Sequence, residues 1–160
     1  MGIIDLMNKG LRRLVRGTCP FSVFTKKKNK MTKEEIIKYW LNSADIDSKA
    51  MESLFNNGHY MWALFVGHLV IEKLLKAFYT KNVGDDIPYT HDLSHIAKKA
   101  NLAISEGQED FLDDVTTFNI KARYPDYKNR FYRKATVKFT EGYITQIKEF
   151  RLWVIEKINE

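Results

Sequence analysis

Cysteine is all but missing. Cys19 stands alone in 160 residues, so no disulfide can close within the chain and stability must come from a packed core. Proline is nearly as scarce. Pro20, Pro88 and Pro125 leave long stretches free to be helical and mark places where a helix is disfavoured. No apolar run approaches the roughly 20 residues that would span a bilayer. The first residues lack the continuous apolar stretch and small-residue cleavage site of a secretory signal. A cytoplasmic protein without a transmembrane segment is therefore expected. Sustained polar–apolar alternation is absent too, so no strand is predicted, and no internal repeat is found.

Hydrophobic residues make up 44% of the chain and aromatics 13%, enough for a core and against disorder throughout. The net charge of +6 is unevenly placed. Residues 1–32 hold eight cations against Asp5 alone, whereas residues 33–160 hold 18 cations and 19 anions. The basic character belongs to the first thirty residues, and the remainder is close to neutral. Net charge is thus no argument that the whole domain binds nucleic acid.

This division predicts a tail or linker over 1–31 and a folded domain over 32–160. Ile3, Ile4, Met7, Leu11, Leu14 and Val15 fall at helical spacing, with Lys9, Arg12, Arg13 and Arg16 on much of the other side. The pattern suits a short basic amphipathic helix for a membrane surface or a partner's groove. Equally, it could be a stretch ahead of a natural start at Met31.

The domain reads as all-α, an antiparallel four- to five-helix bundle. Thr32 and Glu35 form a capping box at the first helix start, and Asn57-Gly58 stops it. A second helix, about Tyr60 to Lys81, is apolar nearly all round between Tyr60 and Ile71, so it must be covered on several sides. A loop containing Gly84 and Pro88 precedes a short helix with Leu93, Ile96, Ala97 and Ala100 inward. Ser105 and Gln108 make a second capping box. They open a helix that should end near Arg123, because Pro125 disfavours helical geometry at Tyr124. A polar, aromatic connection is predicted over about 124–135, and a last helix from near Thr136. Short connections imply antiparallel neighbours.

Three strings carry a family resemblance. His68-Leu-Val-Ile-Glu72-Lys73-Leu74-Leu75-Lys76-Ala77 resembles the second-helix signature of HEPN proteins. Pro88-Tyr-Thr90-His91-Asp92-Leu93 resembles the family's loop into its third helix. Ala122-Arg123-Tyr124-Pro125-Asp126 is similar to the segment after the fourth helix in many bacterial members. The resemblance covers about 32–158. It implies a helical bundle, usually a homodimer, engaged in RNA cleavage, nucleotide binding or partnership with a minimal nucleotidyltransferase, and often part of a toxin–antitoxin or phage-defence system. No cofactor is implied. The family's ribonuclease motif is an arginine followed, after four to six intervening residues, by a histidine, in a cleft across the dimer.

Arg123 matches that arginine, but Lys128, Asn129 and Arg130 stand where the histidine should fall, and all four histidines lie upstream. Lysine and arginine are poor bases near neutral pH, whereas histidine is the usual proton carrier. The expectation is a non-catalytic or weakly catalytic domain that binds a nucleotide, RNA or a nucleotidyltransferase. An endoribonuclease toxin with a variant site around Arg123 is the alternative.

Lys121, Arg123, Lys128, Arg130, Arg133 and Lys134 face one anion, Asp126, with Tyr124, Tyr127, Phe131 and Tyr132 interleaved. Cations bind phosphate and rings stack on bases, so Arg123, Tyr124, Asp126, Tyr127, Lys128 and Arg130 are the candidate nucleotide- or RNA-binding residues. A solvated loop pinned by its aromatics is the plainer reading. Tyr124 and Tyr127 are candidate acceptors of AMP from a nucleotidyltransferase partner. His68 and Glu72, one turn apart, are expected to form a supporting polar cluster with Asp45. The cluster either fixes packing or floors the cleft. Glu72, Lys73 and Lys76 otherwise read as an ordinary helix face with local ion pairs. His91 and His95 bracket Asp92 like a zinc motif, but the acid is not glutamate and no third ligand is evident, so no metal site is expected.

Overall fold

The computed structural model describes residues 31–124 and 126–160, and the proposed tail helix lies outside them. The described residues are helical, without strands. In chain order the helices are α1 (Lys33–Asn56), α2 (Tyr60–Asn82), α3 (Leu93–Lys99), α4 (Glu106–Arg123), α5 (Arg130–Lys134) and α6 (Val137–Asn159). Among the described residues six helices stand where four or five were expected. The extra one, α5, lies inside the predicted 124–135 connection. Asp126 explains it. Its carboxylate accepts the backbone N–H groups of Lys128 and Arg130 and the Arg130 guanidinium, winding the chain into a turn. Phe131 then buries and stacks on Phe118 at 5.5 Å.

Both capping boxes form, at Thr32/Glu35 and Ser105/Gln108; each such cap stabilises a helix by about 1 kcal/mol. After α1, the N–H of Gly58 donates to Phe55 and that of His59 to Leu54, a Schellman arrangement. Gly58 sits at φ +79°, where a side chain would be strained.

α2 is the hub. It packs against α1, α3, α4 and α6 and buries thirteen of its residues, as its all-round apolar character requires. α1 runs antiparallel to it, with Lys73 reaching Asp47 at 2.6 Å. α4 and α6 are antiparallel to each other: Phe111 meets Phe150, and Tyr143 donates to Asp114 at 2.7 Å. Burial, then the Asp114 hydrogen bond and charge, push the Tyr143 phenol up to about 12, so it remains a donor. α2 and α6 run parallel, with Gly67 against Ile147 near one end and Lys81 donating to the Ile158 carbonyl at the other. Helices adjacent in sequence are thus antiparallel among the long elements, and this parallel pair is a consequence of alternating direction. None of the described helices is long and apolar enough to cross a membrane.

Candidate functional site around Arg123 and Glu72

Phe65, His68, Glu72 and Lys76 lie at i, i+3, i+7 and i+11 on α2, one continuous stripe of a 3.6-residue helix. Three other elements converge on it. α4 brings Arg123, the loop before α3 brings His91, and α1 brings Trp40.

Arg123 is exposed at the last turn of α4. Its Nε donates to the Asn119 carbonyl at 3.0 Å, and its guanidinium lies 6.0 Å from the Phe65 ring and 5.5 Å from the Tyr124 ring. Among the described residues no carboxylate pairs with it. Neutral partners therefore orient the group and leave its charge uncompensated locally, which suits an incoming anion.

Glu72 is the opposite case, only 5% exposed. Oε1 accepts from Lys76 Nζ at 2.6 Å, and Oε2 accepts from His91 Nδ1 at 3.0 Å. Burial alone would raise this carboxyl. The hydrogen bonds from Lys76 and His91, with the Lys76 charge, instead hold it below the ordinary carboxylate value. Lys76 also lies 5.2 Å over the Trp40 ring. Lys73 leaves the group altogether and pairs with Asp47 across the α1 seam. The expected local ion pair thus forms between Glu72 and Lys76, but on a buried carboxylate, and Lys73 serves the α1 seam instead.

His68 is fully buried. Its Nε2 donates to the His91 carbonyl at 3.0 Å, and its Nδ1 lies 3.7 Å from Glu72, too far for a hydrogen bond. Burial pushes the imidazole below its usual value against the opposing influence of the His91 carbonyl and Glu72, while the charges of His91 and Arg123 add to the depression. His68 is thus neutral near pH 7. It anchors the His91 backbone from below.

The structure does not bring Asp45 to this group. Asp45 pairs with Lys49 at 2.8 Å and with Arg151 of α6 at 3.1 Å, because its position on α1 faces α6 rather than the polar stripe of α2. Its carboxyl is lowered chiefly by Lys49. His91, not Asp45, completes the polar cluster with His68 and Glu72. Asp92 accepts from the His95 backbone as the N-cap of α3, and among the described residues no group of three or more His, Cys, Asp or Glu converges as metal ligands.

The predicted basic segment divides in two. Arg123 faces Phe65 of α2, with the Tyr124 ring on its guanidinium. Lys121, Asp126, Arg130 and Lys134, with Phe131, line a separate cavity of about 360 Å³. Lys121 precedes Arg123 by two helical positions, about 200° around the axis, so the two cations leave α4 on different sides. Asp126 is held low first by Arg130, so it neutralises that cation and shapes the turn. Tyr127 is 88% exposed with the Lys128 ammonium 5.3 Å over its ring, and Tyr124 is 69% exposed. Arg133 donates to the Lys128 carbonyl, closing the turn. Phe131 is the one ring of this group that is buried.

The HEPN domain family model matches residues 37–158. The chain belongs to the HEPN domain family. No curated protein matches it, and no solved structure does.

Proposed function

We propose that this HEPN domain binds a phosphodiester-bearing ligand, single-stranded RNA or a nucleotide, with Arg123 as the phosphate anchor. The observation that carries the reading is the Arg123 guanidinium: solvent-facing, oriented by a carbonyl and two rings, and without a carboxylate partner among the described residues. Tyr124 is exposed beside it, and Tyr127 and Tyr132 are exposed further along the segment; their rings offer faces on which bases stack, about 1–3 kcal/mol per base. Lys128 adds an exposed cation in the following turn, while Lys121 and Lys134 line the separate cavity in which Asp126 neutralises Arg130. The test is fluorescence anisotropy with an end-labelled single-stranded RNA and with labelled ATP. Arg123→Ala should weaken binding by tenfold or more without lowering the melting temperature. Unchanged affinity in the folded variant would remove the site.

In its finer form the proposal is a cytoplasmic homodimer whose Arg123 faces meet across one groove, acting with a nucleotidyltransferase or as the toxin of a toxin–antitoxin pair. Tyr124 and Tyr127 support a nucleotidyltransferase partner, since both rings are exposed and neither hydroxyl has a hydrogen-bond partner among the described residues. Co-expression with such an enzyme should add the mass of AMP to one of them. Intact-mass spectra showing both tyrosines unmodified would end that part of the proposal.

A further inference from the structure

We propose that the seam between the start of α4 and the middle of α6 is a docking groove for a basic amphipathic helix of a partner protein. Phe111 of α4, with Phe150 and Trp153 of α6, forms its apolar floor. The Phe150 ring lies 5.7 Å from Phe111 and 5.3 Å from Trp153. A cavity of about 330 Å³ opens over these rings and reaches Gly107, room enough for a large apolar side chain. Phe111 and Phe150 are buried, whereas Trp153 is only half-buried. Its indole N–H has no partner among the described residues. An apolar ring with a free polar tip at the mouth of a cavity is the composition of a binding hot spot.

The shape of the groove suits a helix. Gly107, Asp110, Phe111 and Asp114 stand at i, i+3, i+4 and i+7 on α4, and Gln146, Glu149, Phe150 and Trp153 repeat that spacing on α6. Each set is one face about two turns long. Two antiparallel helices presenting such faces leave a channel that a third helix fills with its own i, i+3, i+4 and i+7 side chains. The described residues include no strand, so an extended segment would find no sheet edge to pair with.

Charge selects the sign of the occupant. From Glu106 to Ile120, α4 carries five acids and no cation. The cations near this part of α6 are engaged elsewhere: Lys148 pairs with Glu52, Arg151 with Asp45 and Lys157 with Glu160. Asp110, beside Phe111, and Glu149, in the cavity lining, are exposed and have no hydrogen-bond or ion-pair partner among the described residues. Cations one turn from an apolar anchor would meet both acids. Nucleic acid and anionic lipid carry the wrong sign and would be repelled. Twelve helical residues, about 18 Å, separate Phe111 from Arg123. One helix thus offers acid at its start and a cation at its end, each to a different class of partner.

The test is fluorescence anisotropy of the full chain with a labelled Leu/Lys peptide of about 18 residues, long enough to form a helix, with its leucines on one face. One control peptide has the same residues shuffled so that no face is apolar. A second keeps the pattern with Glu in place of Lys. The amphipathic Leu/Lys peptide should bind with a micromolar Kd, and both controls should bind more weakly by about tenfold or more. At Gly107 a Cβ would meet nothing within 4 Å, so Gly107→Leu should fill the groove and weaken the peptide about tenfold without lowering the melting temperature. Asp110→Lys combined with Glu149→Lys should weaken it as much through charge. Equal affinity for the shuffled or the Leu/Glu peptide overturns the proposal, as does full affinity in Gly107→Leu or in the double variant. A fall in molecular mass of Gly107→Leu in sedimentation equilibrium would make a second copy of this chain the occupant, and overturns it too.

Discussion

Glu72 and His68 are polar groups enclosed in the most apolar helix of the protein, and both titrate below their ordinary values. For His68, the unfolded chain begins to take up a proton near the ordinary 6.5 while the folded chain resists it. Between the two values the unfolded state holds more protons, so stability falls as pH falls. Glu72 has the same sign. Its unfolded carboxyl protonates near 4.5, and the folded one does so lower still. Stability should therefore be fully present above about pH 7, decline in a first stage below 6.5, and decline again below 4.5. Thermal melts from pH 8 to 4 check this. A melting temperature that stayed flat or rose between pH 7 and 5.5 would contradict the neutral, buried assignment of His68. At this scale the sequence already pointed to a His68–Glu72 cluster, because a buried carboxylate on an apolar helix needs partners. It could not name His91, which lies nineteen residues beyond Glu72 across a loop.

At the scale of elements, the register between helices decides which polar residues meet. Gly67 illustrates how tightly α2 is held. A Cβ there would come within 2.5 Å of Ile147 Cδ1 and 3.2 Å of Met51 Sδ, so α1 and α6 both approach the α2 backbone at this point. Alanine would push the flexible tip of Ile147 and nudge the Met51 sulfur, and would gain helix propensity, about 1 kcal/mol. Valine adds branched bulk that cannot fold away, and overpacking costs typically about 1–3 kcal/mol. Gly67→Val should thus lower stability by about 2 kcal/mol in chemical denaturation, and Gly67→Ala by much less. Equal stability of Gly67→Val and wild type would show that the seam is looser than described. The sequence marked Gly67 only as an interruption in an apolar helix. Its packing role depends on side chains 16 residues before and 80 after.

Across the described bundle, the long helices alternate in direction around α2, which leaves the start of α2 and the end of α4 on the same side as the turn into α5. Trp62, Tyr124 and Tyr132 are exposed there. Aromatic rings and an unpaired arginine on one side of a domain are typical of interface composition, which supports the homodimer of the proposal. Sedimentation equilibrium should give twice the chain mass at micromolar concentration, and Trp62→Glu should shift it towards the monomer. A wild-type monomer across that range would remove the two-chain groove while leaving Arg123 as a single-chain anchor.

Capping boxes, glycine stops and the 3.6-residue spacing of apolar positions are local, so they placed five helices from sequence alone: Thr32 begins α1, Ser105 begins α4, and α4 ends at Arg123. The sequence also singled out Arg123 as the cation of interest. α5 was missed because its formation rests on Asp126 folding back onto Lys128 and Arg130 and on Phe131 finding Phe118. Only the tertiary structure could separate Lys121 from Arg123, send Asp45 to Arg151, and bring His91 to Glu72. Each of those outcomes is set by the rotation and register of one helix against another, which no local spacing encodes.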